Sequence, residues 1–277
     1  MDSLYNGKLH EEWLAALPDV QTSVPFDLVE ATAAVFRVGS HSHGTYVPPD
    51  DPTGVDDLDL MVVVVPPPEY VLGMKRFEHA DYKHGKLDVV IYDWAKWLRM
   101  VVKSNPNVVG TLWLEPEDMF LPLRSWGGPL GSLVLSRERL LSKRMHPAFI
   151  GYARGQLHKM THHAHQGYMG EKRKRIVEQY GYDVKNAAHL IRLLRMACEA
   201  FETRYLNVRR RLDANDLIDI KRGLWSKEQV IAEAEMLFAR ADKTIVDSTL
   251  RDEPDELLVQ RAMVEGYKDW WDWREFS

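Results

Sequence analysis

The segment at residues 58–65 narrows the possible fold most, because it ends in six consecutive apolar residues, four of which are valine. Such a short, continuous apolar run predicts a strand that is buried on both faces of a sheet. Two aspartates, Asp57 and Asp59, stand at the head of the run. Side chains at positions i and i+2 of a strand point to the same face, so the spacing predicts two carboxylates together on one side of the sheet.

Paired carboxylates on a rigid strand suit a divalent metal ion, because Mg²⁺ prefers hard oxygen ligands from one or two carboxylates and from phosphates. Residues 86–92 predict a second strand with a single acidic residue, Asp88, which lies beside the pair if the strands are neighbours. Asp57, Asp59 and Asp88 are therefore the candidate metal ligands. Asp56 is left out, because alternation along a strand turns it to the face opposite Asp57.

The chain divides into two parts near residue 135. Before this point, strand-like runs alternate with helical stretches, a pattern typical of an α/β arrangement. The strand-like runs are 35–38, 58–65 and 87–92, and Asp93 is interpreted as the N-cap of a helix over 93–103. After residue 135 the periodicity is helical, with a capping box formed by Ser226 and Gln229. We therefore predict an α/β (α+β) domain with a mixed sheet over residues 1–135 and an all-helical domain over 136–277.

Charge is distributed unevenly along the chain. The net charge is −5, but residues 137–211 contain 17 Lys/Arg against 6 Asp/Glu. A block of this kind attracts polyanions, although any one basic cluster is more often a solvated helix face. Three clusters in the same half of the chain favour contacts with phosphates. The densest consists of Lys172, Arg173, Lys174 and Arg175, and the others are Lys143-Arg144 and residues 209–211.

The sequence carries no sign of a membrane or secretory segment. No apolar stretch approaches the roughly 20 residues that cross a bilayer, and the first five residues lack the basic and apolar regions of a signal peptide. A single cysteine, Cys198, excludes an intrachain disulfide. We therefore expect a cytoplasmic protein that makes no contact with membranes.

A helix predicted from Tyr182 to about Tyr205 has two distinct faces. Apolar residues recur at helical spacing on the face expected to be buried. Lys185, His189 and Arg192 recur at i, i+4 and i+7 on another face. This row of cation-capable side chains suits a triphosphate or an RNA backbone, although Lys and Arg are also common on solvated faces.

Three histidines share a face of an earlier helix, namely His158, His162 and His165. Their spacing could ligate Zn²⁺. No Cys or acidic residue stands near enough in the sequence to supply an obvious fourth ligand, so a solvated basic face is the favoured interpretation.

The order of Gly39-Ser40, Asp57-Leu58-Asp59 and Asp88 resembles the hallmark of the nucleotidyltransferase superfamily typified by DNA polymerase beta. That hallmark is a Gly-Ser turn after a strand, an Asp-hydrophobic-Asp pair on the next strand and a later single Asp. One departure is the long interval between Ser40 and Asp57, which contains several prolines. A proline-rich surface loop lengthens the connection without moving either strand.

A narrower resemblance is carried by residues 180–194. They are similar to the signature helix of a bacterial and phage family of nucleotidyltransferases, some of which are described as RNA repair pathway DNA polymerase beta-like proteins. Residues 39–45, 104–108 and 149–153 match further blocks of that family, and the resemblance covers about residues 36–265. It implies that residues 1–135 form the catalytic domain and that the basic helical domain binds nucleotide and substrate.

The resemblance also implies a reaction. A nucleoside monophosphate would be transferred from a nucleoside triphosphate to an acceptor hydroxyl, with release of pyrophosphate. Two Mg²⁺ ions, for which Mn²⁺ could substitute, would be bound by Asp57, Asp59 and Asp88. An RNA or tRNA end would be bound by the basic residues 172–175. The nucleotide would be bound by Gly39, Ser40, His43, Lys185, His189 and Arg192.

Two alternatives remain open at this stage. A protein or a small molecule could accept the nucleotide, because such reactions need no long basic surface. The chain could instead be a catalytically inactive nucleic-acid-binding module, although three intact carboxylates argue against this.

Overall fold

The computed structural model describes residues 7–48, 51, 56–120, 128–162 and 171–275. A mixed five-stranded sheet lies at its centre. The strands are β1 (Thr32–Val38), β2 (Leu58–Val64), β3 (His79–His84), β4 (Leu87–Asp93) and β5 (Met119–Phe120). Their order across the sheet is β3-β4-β2-β1-β5. β2 and β4 are parallel, and the other neighbouring pairs are antiparallel. The predicted mixed sheet is therefore confirmed.

Helices surround this sheet. In the first part of the chain they are α1 (Gly7–Val20), α2 (Leu28–Ala31), α3 (Gly39–His43), α4 (Pro68–Val71) and α5 (Trp94–Val102). Later helices are α6 (Pro129–Leu135), α7 (Met145–His162), α8 (Glu171–Tyr180), α9 (Val184–Thr203), α10 (Ala214–Lys221), α11 (Lys227–Asp247) and α12 (Glu256–Glu275). Short 3-10 helices occupy Gln21–Ser23, Val109–Trp113, Pro116–Asp118 and Arg137–Leu140.

After residue 128, the regular elements of the described residues are helices apart from one β-bridge between Ser142 and Arg251, as the sequence predicts. None of the helices in the described ranges is long and apolar enough to cross a membrane.

Strand β2 is buried on both faces, as its apolar run predicts. Leu60, Val62 and Val64 belong to a cluster of buried side chains with residues of α1 and α2. Met61 and Val63 point into a second cluster that includes α5 and α9. A one-residue slip of β2 would keep its valines buried, but in one direction it would carry the Asp59 carboxylate into the buried position of Leu60, which is costly. The carboxylate of Asp59 is consequently held in one register.

Helix ends follow the predicted caps. The Asp93 side chain accepts a hydrogen bond from the Lys96 backbone N–H at 3.3 Å, at the start of α5. Ser226 and Gln229 form the reciprocal capping box that begins α11. Such caps contribute about 1 kcal/mol each.

The last helix packs back onto the sheet and its neighbours. In α12, Trp270 Nε1 donates to the Glu30 carbonyl at 3.2 Å, and Trp271 Nε1 donates to the Pro66 carbonyl at 3.1 Å. One buried cluster extends from β1 to Trp270. The two-domain division near residue 135 stays a prediction, and the packing joins both parts of the chain through a shared core.

Candidate active site

A cavity of about 460 Å³ lies between the sheet and helix α9, within the usual size range of small-molecule sites. Its lining brings together acidic residues from the strand ends and basic residues from the helices. The sheet contributes Asp59 and Asp88, and α9 contributes Lys185, His189 and Arg192. Candidate residues that are far apart in the sequence therefore line the same cavity.

Asp59 and Asp88 are register partners in the parallel pair β2–β4. Adjacent strands lie about 4.8 Å apart, so the two carboxylates start from neighbouring backbone positions. Burial, followed by the negative charge of Asp88, raises the pKa of Asp59 to about 6. The negative charge concentrated here would be relieved by a bound cation.

The position of Asp57 differs from that of Asp59, its predicted partner as a metal ligand. It precedes the first residue of β2, is partly exposed and does not line the cavity. Its charge nevertheless contributes to the raised pKa of Asp59. Its role as a metal ligand stays a prediction.

Asp56, which the alternation argument turned away from the site, lines the cavity. That placement was wrong because β2 begins only at Leu58, so strand alternation does not extend to residue 56. The Asp56 carboxylate is buried and accepts hydrogen bonds from the Val47 backbone N–H at 2.8 Å and from Lys221 Nζ at 2.9 Å. Lys185 Nζ is 3.7 Å from its other oxygen. Asp56 thus ties the start of β2 to helices α9 and α10.

Lys83 is a neighbour of the acidic pair that was not predicted from the sequence. Lys83 is the register partner of Asp88 in the antiparallel pair β3–β4, and its Nζ lies 2.5 Å from Asp88 Oδ2. This hydrogen bond raises the pKa of Lys83. Both side chains are well exposed, so the ion pair contributes about 0–1 kcal/mol. The Gly85-Lys86 turn was the available signal, because it predicts a hairpin that pairs these positions.

The carboxylates fit a hard divalent cation. Among the described residues, no three His, Cys, Asp or Glu side chains already converge as a metal site. The pair Asp59 and Asp88 nevertheless offers only oxygen donors, which are the ligands Mg²⁺ prefers. Burial and the neighbouring charge of Asp88 together raise the pKa of Asp59, and a bound cation would favour its ionised form.

The backbone of the Gly39-Ser40 turn lies close to the Asp59 carboxylate. Gly39 has a φ of +68°, and a Cβ built there would lie 2.1 Å from Asp59 Oδ2. Only glycine fits this backbone beside the carboxylate. Ser40 follows it in α3 and lines the cavity, and its Oγ is buried with no hydrogen-bond partner in the described ranges. A buried hydroxyl without a partner indicates a place for a ligand oxygen.

Arg192 brings a poorly compensated positive charge to the cavity. Its guanidinium donates one hydrogen bond, from Nη1 to Met196 Sδ at 3.3 Å, and forms no ion pair with any described carboxylate. Burial, followed by the charge of Arg210, lowers the pKa of Arg192 to about 9, so the group is still charged at neutral pH. A desolvated charge without a counter-ion is costly, and an anionic ligand would supply the counter-ion.

His189 differs from the cation expected in the Lys185–His189–Arg192 row. Burial and the charges of Arg192, Lys159 and Lys221 lower its pKa well below the usual value, so the imidazole is neutral at pH 7. Its Nε2 is buried without a hydrogen-bond partner in the part of the chain that is described. The row therefore supplies two cations and one neutral polar ring to the cavity.

Residues 208–210 support α3 and were not anticipated from the sequence. His43 Nδ1 lies 3.0 Å from the Val208 carbonyl, and the Arg210 backbone N–H donates to the His43 carbonyl at 2.9 Å. Arg209 Nη1 donates to the His41 carbonyl at 3.0 Å. No local pattern marks residues 208–210 for this role, because the contacts form only after the helices pack.

Residues of two of the three basic clusters form ion pairs with acidic side chains. Lys143 pairs with Asp252, and Arg144 pairs with Glu253 and Glu256. Arg210 pairs with Glu199 and Asp213, and Arg211 with Glu115.

The remaining cluster begins α8, and RNA binding by Lys172, Arg173, Lys174 and Arg175 stays a prediction. Of the three histidines considered for Zn²⁺, His165 lies outside the described residues.

Comparisons with known proteins identify the family of the chain. The model of the RNA repair pathway DNA polymerase beta family matches residues 29–208. The crystal structure of a nucleotidyltransferase-like protein from Exiguobacterium sibiricum 255-15 is similar at 12% identity and a TM-score of 0.28, covering 86% of this chain and 75% of that one. No curated protein matches the sequence.

Proposed function

Because the chain belongs to the RNA repair pathway DNA polymerase beta family, we propose that it transfers a nucleoside monophosphate from a nucleoside triphosphate to an acceptor hydroxyl, releasing pyrophosphate. The acceptor in this proposal is the end of an RNA. Nucleotidyl transfer needs a site that neutralises a triphosphate and aligns it with a hydroxyl.

The observation that carries the proposal is the pairing of two features in one cavity. Asp59 and Asp88 supply adjacent carboxylates, while Arg192 supplies a guanidinium without a carboxylate partner in the described ranges. A triphosphate complements the guanidinium directly and complements the carboxylates through a shared cation. An uncharged ligand would satisfy neither feature.

Asp59 and Asp88, together with Asp57, would hold Mg²⁺, which when bound supplies charge neutralisation of the phosphates and a more acidic acceptor hydroxyl. The chain's own groups position the nucleotide. Arg192 and Lys185 counter the phosphate charge, and Ser40 Oγ donates to a phosphate oxygen. Because Gly39 has no side chain, the backbone next to Ser40 can lie close to the Asp59 carboxylate.

An RNA acceptor is supported by the family's description and by the basic residues 172–175. The backbone of a nucleic acid gains affinity from each lysine or arginine that contacts a phosphate. We assign the acceptor to the α8 cluster because it holds four consecutive basic residues, the densest positive charge in the chain.

The test incubates the protein with each α-labelled nucleoside triphosphate, Mg²⁺, total RNA and total protein, and asks which fraction acquires label. Labelled RNA is expected. Asp59→Asn should abolish the labelling, whereas Asp19→Asn, an exposed substitution on α1, should leave it intact. Label on protein alone would replace the RNA acceptor with a protein acceptor. Absence of label from every fraction, with all four nucleotides, would contradict nucleotidyl transfer.

A further inference from the structure

His43 stands out in the cavity because its ring is fixed by a contact outside the carboxylate site. It lines the cavity, and its Nδ1 lies 3.0 Å from the Val208 carbonyl oxygen. A carbonyl oxygen can only accept a hydrogen bond, so Nδ1 carries the proton. Burial and the nearby charge of Arg192 lower the pKa of His43 well below its usual value, which keeps the ring neutral.

A neutral imidazole with its proton on Nδ1 has a lone pair on Nε2. Nε2 therefore accepts a hydrogen bond and cannot donate one. Phosphate oxygens are also acceptors, so Nε2 is a poor partner for them. The ligand group that suits His43 is a donor, such as a hydroxyl.

The position of His43 indicates which part of a bound ligand its ring contacts. Ser40 and His43 are three residues apart on α3, and side chains at this spacing are neighbours with Cβ atoms about 5–6 Å apart. Both residues line the cavity. If Ser40 Oγ contacts a phosphate, the donor that reaches His43 belongs to the group bonded next to the phosphates. In a nucleotide this group is the sugar.

We infer that His43 Nε2 accepts a hydrogen bond from a ribose hydroxyl of the bound nucleoside triphosphate, and that the cavity thereby selects ribonucleotides over deoxyribonucleotides. The inference rests on the proposed function and adds the sugar specificity of the same site. A single neutral hydrogen bond is worth about 0.5–1.5 kcal/mol, which corresponds to roughly a twofold to tenfold difference in affinity.

Equilibrium binding without an acceptor tests the inference. The affinities of ATP, GTP, CTP and UTP are measured by calorimetry in Mg²⁺, each beside its 2′-deoxy and 3′-deoxy analogue. The wild-type protein should bind the ribonucleotides roughly twofold to tenfold more tightly than one of the two analogue series. Equal affinity for all three sugars would overturn the inference, whether or not any variant folds.

The informative variant is His43→Asn. The asparagine amide nitrogen can occupy the place of Nδ1 and keep the bond to Val208, but nothing replaces Nε2. This variant should bind ribonucleotides as weakly as the wild type binds the discriminated analogue, with no change for that analogue. His158→Asn, an exposed position on α7, serves as the matched control and should keep the discrimination.

Three results contradict the inference in different ways. If His43→Asn keeps the wild-type ratio, another group reads the sugar. If the wild-type protein binds no nucleoside triphosphate at all, the proposed function falls and the inference with it. Tight but sugar-independent binding removes the inference alone and leaves the proposed function standing.

Discussion

Gly39 and Asp59 are so close that a methyl group on residue 39 would lie 2.1 Å from Asp59 Oδ2. Gly39 directly follows β1, and Asp59 is the second residue of β2, where it is the register partner of Val38 in the antiparallel pair β1–β2. The backbone at Gly39 and the Asp59 carboxylate are therefore in close contact. Displacing either one changes where a phosphate and its counter-ion can sit.

Gly39→Ala should reduce nucleotidyl transfer at least a hundredfold, because the new Cβ displaces the Asp59 carboxylate. The alanine also carries strain from the positive φ of +68°, typically 1–2 kcal/mol. Gly85→Ala is the matched control, since Gly85 has a φ of +58° but no atom within 4 Å of a built Cβ. Both variants should lose similar stability in urea unfolding, and only the first should lose activity. Equal activity in the two variants would contradict the steric argument.

The stability of the protein should depend on the ionisation of Asp59. Its pKa is about 6 in the folded state and 3.8 in its unperturbed state. A raised pKa means that stability present below pH 4 is lost as the pH rises through 6. Asp59→Asn should therefore unfold with a free energy about 1–3 kcal/mol higher than wild type at pH 8, and with little difference at pH 4. Urea titrations at pH 4, 6 and 8 measure this, and an equal gain at all three would refute it.

Binding of a metal ion should compete with protonation of the Asp59 carboxylate. If Asp59 is a ligand with a pKa of about 6, Mn²⁺ or Mg²⁺ affinity should fall about tenfold per pH unit below 6 and level off above 7. Calorimetric titration without nucleotide, between pH 5 and 7.5, gives the profile. Asp59→Asn should bind more weakly with a flatter profile. A wild-type affinity that does not change across this range would remove Asp59 from the metal site.

Arg192→Met should raise the KM for the nucleotide at least tenfold, with a smaller fall in kcat, because the charge contact already exists in the ground state. Its Tm should stay unchanged or rise, since the guanidinium has no carboxylate partner in the described ranges. Arg195→Met on the same helix is the control. Arg195 pairs with Asp213, Asp216 and Glu233, so its loss should lower the Tm and leave the KM unchanged. A normal KM in Arg192→Met would end its assignment to the nucleotide.

Changing Lys172, Arg173, Lys174 and Arg175 to alanine should weaken RNA binding and flatten its salt dependence. Each lost phosphate contact lowers the log–log slope by roughly 0.7–0.9. Replacement of Lys143 and Arg144, which pair with Asp252, Glu253 and Glu256, should leave the slope unchanged. Filter binding between 50 and 300 mM salt distinguishes the two sets. If the α8 variant keeps the wild-type slope, a protein or small-molecule acceptor becomes the better proposal.

Local patterns were sufficient for the elements that build the site. The apolar run of β2, the cap at Asp93 and the capping box at Ser226 depend on neighbours within a few residues, and each is found as predicted. Asp88 was expected beside the acidic pair only if the two strands were neighbours. The parallel pair β2–β4 shows that they are.

Other features depend on contacts between distant segments. Asp56 faces the cavity because β2 starts later than the acidic run, and because Lys221, 165 residues away, holds its carboxylate. The neutral state of His189 comes from burial and surrounding cations, which a helical wheel does not show. The support of α3 by residues 208–210 likewise follows from packing, since the His43–Val208 contact spans 165 residues.

The return of α12 to the sheet sets an order of events during translation. Asp93 Oδ1 accepts from Tyr267 Oη, and the Trp94 indole N–H donates to the Ala262 carbonyl, 168 residues further along. At typical elongation rates of about 5–20 residues per second, these partners emerge roughly 10–30 s after the strand that needs them. Until then, the Asp93 carboxylate and the Trp94 indole N–H lack these two partners.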